Sequence, residues 1–366
     1  MKNEARAMKD RMLADFPALR VERHPMVDDQ NAFLMLFELD GFIKNLDPPF
    51  SEEFRQLLNG TTPWDANAAR HFLAEQRNLV ERIEKIAALE TRSSEDLPAS
   101  YNGFISARPG KIASDILILK ARLAAEAGDG QGTLRAISAA SNIGAHYQKI
   151  ESPSLLSATI RTMIDLGMKK TATQILLPAL GKNVDLSLWK SAFATTSYTP
   201  SDLAHVIRGE WNTSSDHLVF PLLIADERKR NLPDAEAVAH AYSSSFNAWV
   251  TTIPTLSFAQ IDSFSPNIET SQLSSEGRKY VEVLQIGRES WFKGYIRAAV
   301  ISSQQQAALD LLILEQDGVT LGAADAARVT HDPTTGLPFV FNPAKRELLA
   351  PSDSVELNVD PLVLPW

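Results

Sequence analysis

Apolar residues recur at helical spacing through most of this chain and change to alternation only near its end. Ile112, Ile116, Leu119 and Leu123 stand at i, i+4, i+7 and i+11, a stripe along one helix face. Gly128-Asp129-Gly130 interrupts that helix. A second helix carries Leu134 and Ile137, then the small Ala140, Ser141 and Gly144. Ser152-Pro153 caps a third, with Leu156, Ile160, Met163 and Gly167 on its stripe. Small residues facing small residues let helices approach closely. Residues 111–180 therefore predict an antiparallel hairpin with a third helix stacked on it, a tetratricopeptide-like unit. No second copy follows at the period of about 34 residues, so this is one unit and not an array.

Helical signals also flank this unit. Residues 2–15 are amphipathic. Asp28-Asp29 reads as the cap of a helix that carries Phe33, Leu34, Leu36 and Phe37 and stops at Pro48-Pro49. Ser51 to Asn59-Gly60 predicts a short helix. A long charged helix runs from Ala66 to about Glu90, with Phe72, Leu79, Ile83, Ile86 and Leu89 inward. Residues 91–109, rich in Ser, Pro and Gly, read as a loop. Thr199-Pro200-Ser201-Asp202 is a clean helix start: a cap, a proline in the first turn and an acid at the third position. Residues 212–233, with Pro221 and Pro233, read as irregular, 234–250 as helix, and 253–268, with Pro254 and Pro266, as loop. Residues 274–316 are helical, with Gly287 and Gly294 as candidate breaks and Gly318 as the end.

The switch comes at Asp332-Pro333-Thr334-Thr335-Gly336-Leu337-Pro338-Phe339-Val340-Phe341. An Asp-Pro start and a glycine four residues on make a turn that feeds a strand. Strand candidates are 339–341, 347–350 and 355–359, with turn-like Asn342-Pro343-Ala344-Lys345 between the first two. The expected fold class is mainly α: a helical body over 1–316, with a subdivision point near 181–200, and a small antiparallel β element in a C-terminal module over 317–366.

Composition narrows the function classes. The 366 residues are 44% hydrophobic and 22% charged, enough for a sizeable core. Lys and Arg number 36 against 45 Asp and Glu, a net charge of −9. With no basic block interleaved with aromatics, neither nucleic acid nor an anionic membrane surface is an expected partner. The absence of cysteine removes disulfides, thiolate nucleophiles and Cys-ligated metal sites. No apolar run reaches the length of a membrane helix. Met1 leads straight into a polar helical segment, so the expectation of export rests on a removed N-terminal segment.

In order, four motifs resemble a family of helical proteins abundant in planctomycetes and verrucomicrobia. Pro25-Met26-Val27-Asp28-Asp29-Gln30-Asn31-Ala32 is similar to its "P-V-P-(D/E)-(D/E)-x-N-A" opening. Phe72-Leu73-Ala74-Glu75-Gln76-Arg77 resembles its "W-L-A-x-N-R" helix. Leu117 to Asp129 resembles its "L-x-L-R-A-x-L-A-x-x-x-G-D" hairpin, and Asp332-Pro333-x-x-Gly336-x-Pro338-Phe339 its "D-P-F-T-G-K-P-L-x-Y". Thr334 departs from the usual aromatic, and Ser354 to Val359 replaces a Gly/Asp-rich tail. The resemblance implies export or membrane anchoring, and it carries over no catalytic residue. The run from Leu314-Glu315-Gln316-Asp317-Gly318 through Asp332-Pro333 to Phe339 is also distantly similar to the C-terminal module of pilin-like proteins.

No sharp catalytic motif is present: no His-Glu-x-x-His, no Gly-x-Ser-x-Gly and no aspartic-protease triplet. Gly128-Asp129-Gly130-Gln131-Gly132 joins two helices, so it reads as a turn and not as a nucleotide loop. The paired carboxylates Asp28-Asp29 suit a helix cap better than a shared-proton dyad. Asp332 reads as a turn holder, and calcium would need a cluster of acids around it. The histidines, His24, His71, His146, His205, His217, His240 and His331, are scattered. His71 and Glu75 at i, i+4 suit a surface ion pair. Asp216-His217 lies in the stretch read as irregular. Glu210-Trp211, an acid beside an aromatic, is the first place to look for a carbohydrate or peptide cleft, against a packed helix end. Neither a cofactor nor a metal is expected, and the catalytic residues are unknown. The first functional expectation is a non-enzymatic, extracytoplasmic binding or scaffold protein of the cell envelope with a protein or glycoprotein partner. The alternative is an exported hydrolase, a peptidase using carboxylates.

Overall fold

A computed structural model describes residues 2–22, 30–46, 56–57, 62–90, 93, 106–182, 184–194, 198–229, 232, 234–285, 288–351 and 357–365. Helices dominate: α1 (Lys2–Asp15), α2 (Ala32–Lys44), α3 (Ala66–Glu75), α4 (Arg77–Ala88), α5 (Arg108–Glu126), α6 (Gly130–Gln148), α7 (Leu155–Thr171), α8 (Leu177–Leu180), α9 (Leu186–Ala194), α10 (Pro200–Ser214), α11 (Phe220–Arg228), α12 (Ala235–Thr252), α13 (Phe258–Ser263), α14 (Ser275–Gln285) and α15 (Arg288–Gln316). A three-stranded antiparallel sheet closes the chain in the order β1 (Val340–Asn342), β2 (Glu347–Leu349), β3 (Leu362–Val363). The mainly-α body with a small C-terminal β element is the expected fold class. The third strand lies at Leu362–Val363 and not at 355–359; of that run, 357–359 are described and are not strand.

Local signals explain many element boundaries. Asp129 caps α6 by accepting the Gly132 N–H at 2.8 Å. Gly128 supplies the positive φ of 73° that ends α5. A side chain at Gly132 would press on the capping carboxylate, its Cβ 2.1 Å from Asp129 Oδ2, so both glycines serve the turn. Thr199 caps α10 through the Asp202 N–H at 3.0 Å. The cap of α2 is Asn31, and Asp28-Asp29 lies outside the described residues. Asn31 Oδ1 accepts from Phe33 and Leu34 N–H, while its amide and Oδ1 also bind the backbone of Ser93. The cap of α7 is Ser154, two residues beyond the Ser152-Pro153 expectation.

The helix expected over 66–90 breaks at Gln76. Gly294 lies inside α15 and breaks nothing, while 286–287, with Gly287, fall outside the description. Most of 51–60 and of the loop over 91–109 also falls outside it. Residues 253–268 are not a plain loop, since Ile253–Thr255 forms a 3-10 turn and α13 follows.

The irregular reading of 212–233 fails for a definite reason. Helix α10 continues into α11 through a π-helical segment, Ser215–Val219, just ahead of Pro221. The same arrangement joins α7 to α8: Ala172–Leu176 is π-helical ahead of Pro178. A proline lacks an N–H, and its ring crowds the carbonyl four residues back. Those residues are Gln174 and His217, and both lie inside the widened turns. The helix absorbs each proline by locally loosening its winding.

Buried apolar side chains form two clusters. One gathers α2 to α9, the C-terminal half of α15 and the inward sheet residues Phe341, Leu348 and Leu362. The other gathers α1, α10 to α14 and the N-terminal half of α15 through Phe292, Tyr295, Ile296, Ala298 and Ala299. Helix α15, about 44 Å long at 1.5 Å per residue, thus enters both. Its C-terminal half also ties down the end of the chain. Gln304 donates to the Leu348 and Asp360 carbonyls at 2.8 and 3.1 Å, and Glu315 receives the Arg346 guanidinium at 2.8 and 3.2 Å.

The Asp332 turn sits against the first cluster. Asp332 is fully buried, and its Oδ1 accepts from the Thr334 and Thr335 N–H groups at 2.7 and 3.3 Å. The Gly336 N–H returns to the Asp332 carbonyl at 2.9 Å, with Gly336 at φ 69°. Phe339 and Phe341 then enter the core.

Candidate functional site

Helices α5 and α6 pack antiparallel across their three-residue link, and α7 lies against both. Gly144 permits this approach: a Cβ there would stand 3.3 Å from Ile164 Cγ2. On the other side, the C-terminal end of α4 joins α6. Asn142 Nδ2 donates to the Ala87 carbonyl at 3.2 Å, and buried His146 Nε2 to the Ile86 carbonyl at 2.9 Å. An open groove of about 760 Å³ is bounded by these three helices. Helix α5 contributes Leu117 and Ala124, α4 contributes Ala87 and Ala88, and α6 contributes Leu134, Ala136 and Ala139. Glu84, Lys120, Asp129, Arg135, Ser138 and Asn142 supply its polar groups. Lys120 and Glu84 form an ion pair between α5 and α4. Such a surface, apolar with a few placed polar groups, suits a ligand that buries hydrocarbon and is oriented by polar contacts.

The residues singled out in the sequence are dispersed. Glu210 caps another helix, its Oε2 accepting the Leu155 N–H at the start of α7 at 2.8 Å. Trp211 is fully buried and donates to Ser243 Oγ at 3.1 Å. The packed-end reading holds for this pair. His71 and Glu75 form an exposed pair at 3.1 Å. Asp216 binds Lys9 at 2.7 Å, and its neighbour His217 is exposed in the π-helical segment. His240 packs at a tilt against Phe16, with 4.8 Å between ring centroids. The ring nitrogens of His331 face the Gly336 and Ala327 carbonyls. His24 and Asp28-Asp29 lie outside the described residues. No group of three or more His, Asp or Glu that would hold a metal exists among the described residues. No helix among them is long and apolar enough to cross a membrane. Burial raises the Asp115 carboxyl, and its close neighbour is Lys111 at 2.5 Å, a cation and not a second acid.

His205 joins the two clusters. From α10 its Nε2 donates to the Ile150 carbonyl, at 2.8 Å, in the α6–α7 connection. Burial lowers its pKa, and the Ile150 bond and nearby acids only partly offset this. The unfolded chain therefore takes up the proton first as pH falls through about 6.5, so stability declines below that point. His205→Gln keeps a donor for Ile150 and removes the titration. Between pH 7 and 5 its melting temperature is expected to fall less steeply than that of the wild type. Parallel slopes by calorimetry would refute this.

Charges that sequence reasoning did not select lie inside α7. Arg161, Asp165 and Lys169 follow at i, i+4 and i+8 and are 5, 2 and 1% exposed. Leu156 and Met163, expected inward, are 39 and 50% exposed. Ile160 is buried as expected, and Ile164 and Met168 complete the buried apolar stripe. Lys169 Nζ lies 3.2 Å from Asp165 Oδ2 and donates to Ser302 Oγ on α15 at 2.7 Å. Tyr198 OH donates to the same Asp165 oxygen at 3.0 Å, and the Arg161 guanidinium lies over the Tyr198 ring at 4.1 Å. Burial lowers the Lys169 pKa and raises that of Tyr198. These groups are sealed by side chains, so their arrangement registers α7 against α15 and Tyr198.

Compared with known proteins, the chain matches no family model, no curated sequence and no solved structure.

Proposed function

We propose that this protein is a non-enzymatic helical binding protein whose partner, a segment of another protein, lies in the groove bounded by α4, α5 and α6. The observation that carries this reading is the groove itself, an open apolar trough with polar groups that interrupts an otherwise well-packed helical unit. The three-helix unit would work as a helical repeat does, offering a rigid surface between helices. Its setting in the cell envelope rests on the resemblance of the four motifs to exported helical proteins.

The test places the photo-crosslinking residue p-benzoylphenylalanine at Ser138, on the groove, or at exposed Thr251 on α12. Irradiation of the native cells should give a discrete adduct, in the envelope fraction, from position 138 and none of that size from position 251. Equal adduct patterns from both positions would sink the proposal.

A further inference from the structure

The groove also carries information about what fills it. Helices form its walls, and their backbone groups are already hydrogen-bonded internally. An extended peptide would find no open sheet edge there to pair with, whereas a helix brings its own backbone bonds. Ala88 on α4, Ala124 on α5, and Ala136 and Ala139 on α6 hold side-chain bulk to a minimum. Close-packed helices lie roughly 8–10 Å apart, the near limit requiring small side chains at the contact. From Gly132 to Asn142 the α6 wall is about 15 Å long at 1.5 Å per residue, room for some three turns.

Charge selects among helices. Glu84 is paired with Lys120, and Asp129 is engaged by the start of α6. Exposed Arg135 makes no ion pair or hydrogen bond among the described residues. It is a free cation beside an apolar surface in a chain of net charge −9. We infer that the groove takes an amphipathic helix of a partner protein that sets an acidic side chain against Arg135. This rests on the groove reading above and adds the partner's secondary structure and charge.

A displayed library of 18-residue amphipathic helices tests it, with apolar positions drawn from Ala, Leu, Ile, Met and Phe and polar positions from Glu, Lys and Gln. The immobilised full chain is the target, and enrichment is read by sequencing. On the wild type, Glu should exceed Lys at one polar position by about tenfold. On Arg135→Glu that preference should invert, and on Ala139→Trp, which fills the trough, enrichment should vanish. Circular dichroism confirms that each variant is folded, and Arg135→Glu, a surface change, serves if Ala139→Trp is not. An unchanged Glu preference on Arg135→Glu overturns the acidic-partner inference while leaving the groove reading standing. Enrichment that survives Ala139→Trp, or is absent on the wild type, overturns the helix inference. The crosslinking result then decides the groove reading separately.

Discussion

Gly209→Ala is expected to be the most damaging single methyl group that can be added to this protein, costing more than about 4 kcal/mol. Gly209 lies on α10 where that helix crosses the α6–α7 connection. A Cβ there would stand 2.2 Å from the Pro153 carbonyl oxygen and 2.6 Å from the Pro153 nitrogen. Both are backbone atoms, so no side-chain rotation relieves the overlap. The connection is fixed on every side. Ser152 Oγ donates to the Gly209 carbonyl at 3.3 Å, Glu210 holds the Leu155 N–H, and His205 holds the Ile150 carbonyl. Moving it apart would break these bonds together and separate α10 from α7. Gly41 provides the contrast, because nothing lies within 4 Å of a Cβ on that α2 glycine. Gly41→Ala should stabilise the protein by about 0.5–1 kcal/mol through helix propensity. Guanidinium titration of both variants, with the soluble yield of each, compares them. A Gly209→Ala midpoint equal to that of the wild type would show that the crossing is looser than described.

Asp165→Ala should follow closely, at about 3–5 kcal/mol, the usual cost of leaving buried charge without its partner. Asp165 is the one acid of the α7 ladder, with Arg161 and Lys169 one turn to either side. Removing it strands Lys169 with only Ser302 Oγ and deprives Tyr198 OH of its acceptor. Lys169→Met alone should cost less, because Asp165 keeps the Tyr198 hydrogen bond and the nearby Arg161 charge. The double variant should lose less than the sum of the singles, since deleting both members removes the uncompensated charge. Denaturation of the four proteins at pH 7 gives the coupling directly. Additive losses, or an Asp165→Ala effect below about 1 kcal/mol, would mean that the ladder is not an electrostatic unit.

Much of the fold was legible because its signals are local. The Gly128 to Gly130 turn, the Thr199 cap and the Asp332 turn each depend on side chains bonding to backbone within four residues, and all three stand as read. Pro221 misled for an equally physical reason. It is a strong breaker in isolation, yet, like Pro178 within the stretch read as helix, it is absorbed by a π-helical segment because burial of the flanking helix outweighs one poor turn. Helix α7 misled through charge. Its stripe was drawn through Leu156, Ile160, Met163 and Gly167, and Arg161, Asp165 and Lys169 entered no part of that reading. The real face is turned about one residue around the helix, since Lys169 pairs with Asp165 and Ser302, and Asp165 and Arg161 meet Tyr198. The groove was the least legible feature. Its alanines are good helix formers anywhere, and nothing in their spacing announces a gap between α4 and α6.

The sequence by itself therefore determined most of the helical segments (those within 212–233 and 253–268 excepted), where several of them stop, and that a small sheet follows the helices. These follow from periodicity, capping and turn chemistry acting over a few residues. Only the tertiary structure decided that charged side chains lie inside α7, that Glu210 caps a helix 55 positions away in sequence, and that an apolar trough stays open over the hairpin with Arg135 beside it. Each of those depends on which distant segment arrives as neighbour, and the balance between burying a charge and pairing it is settled only by that arrival.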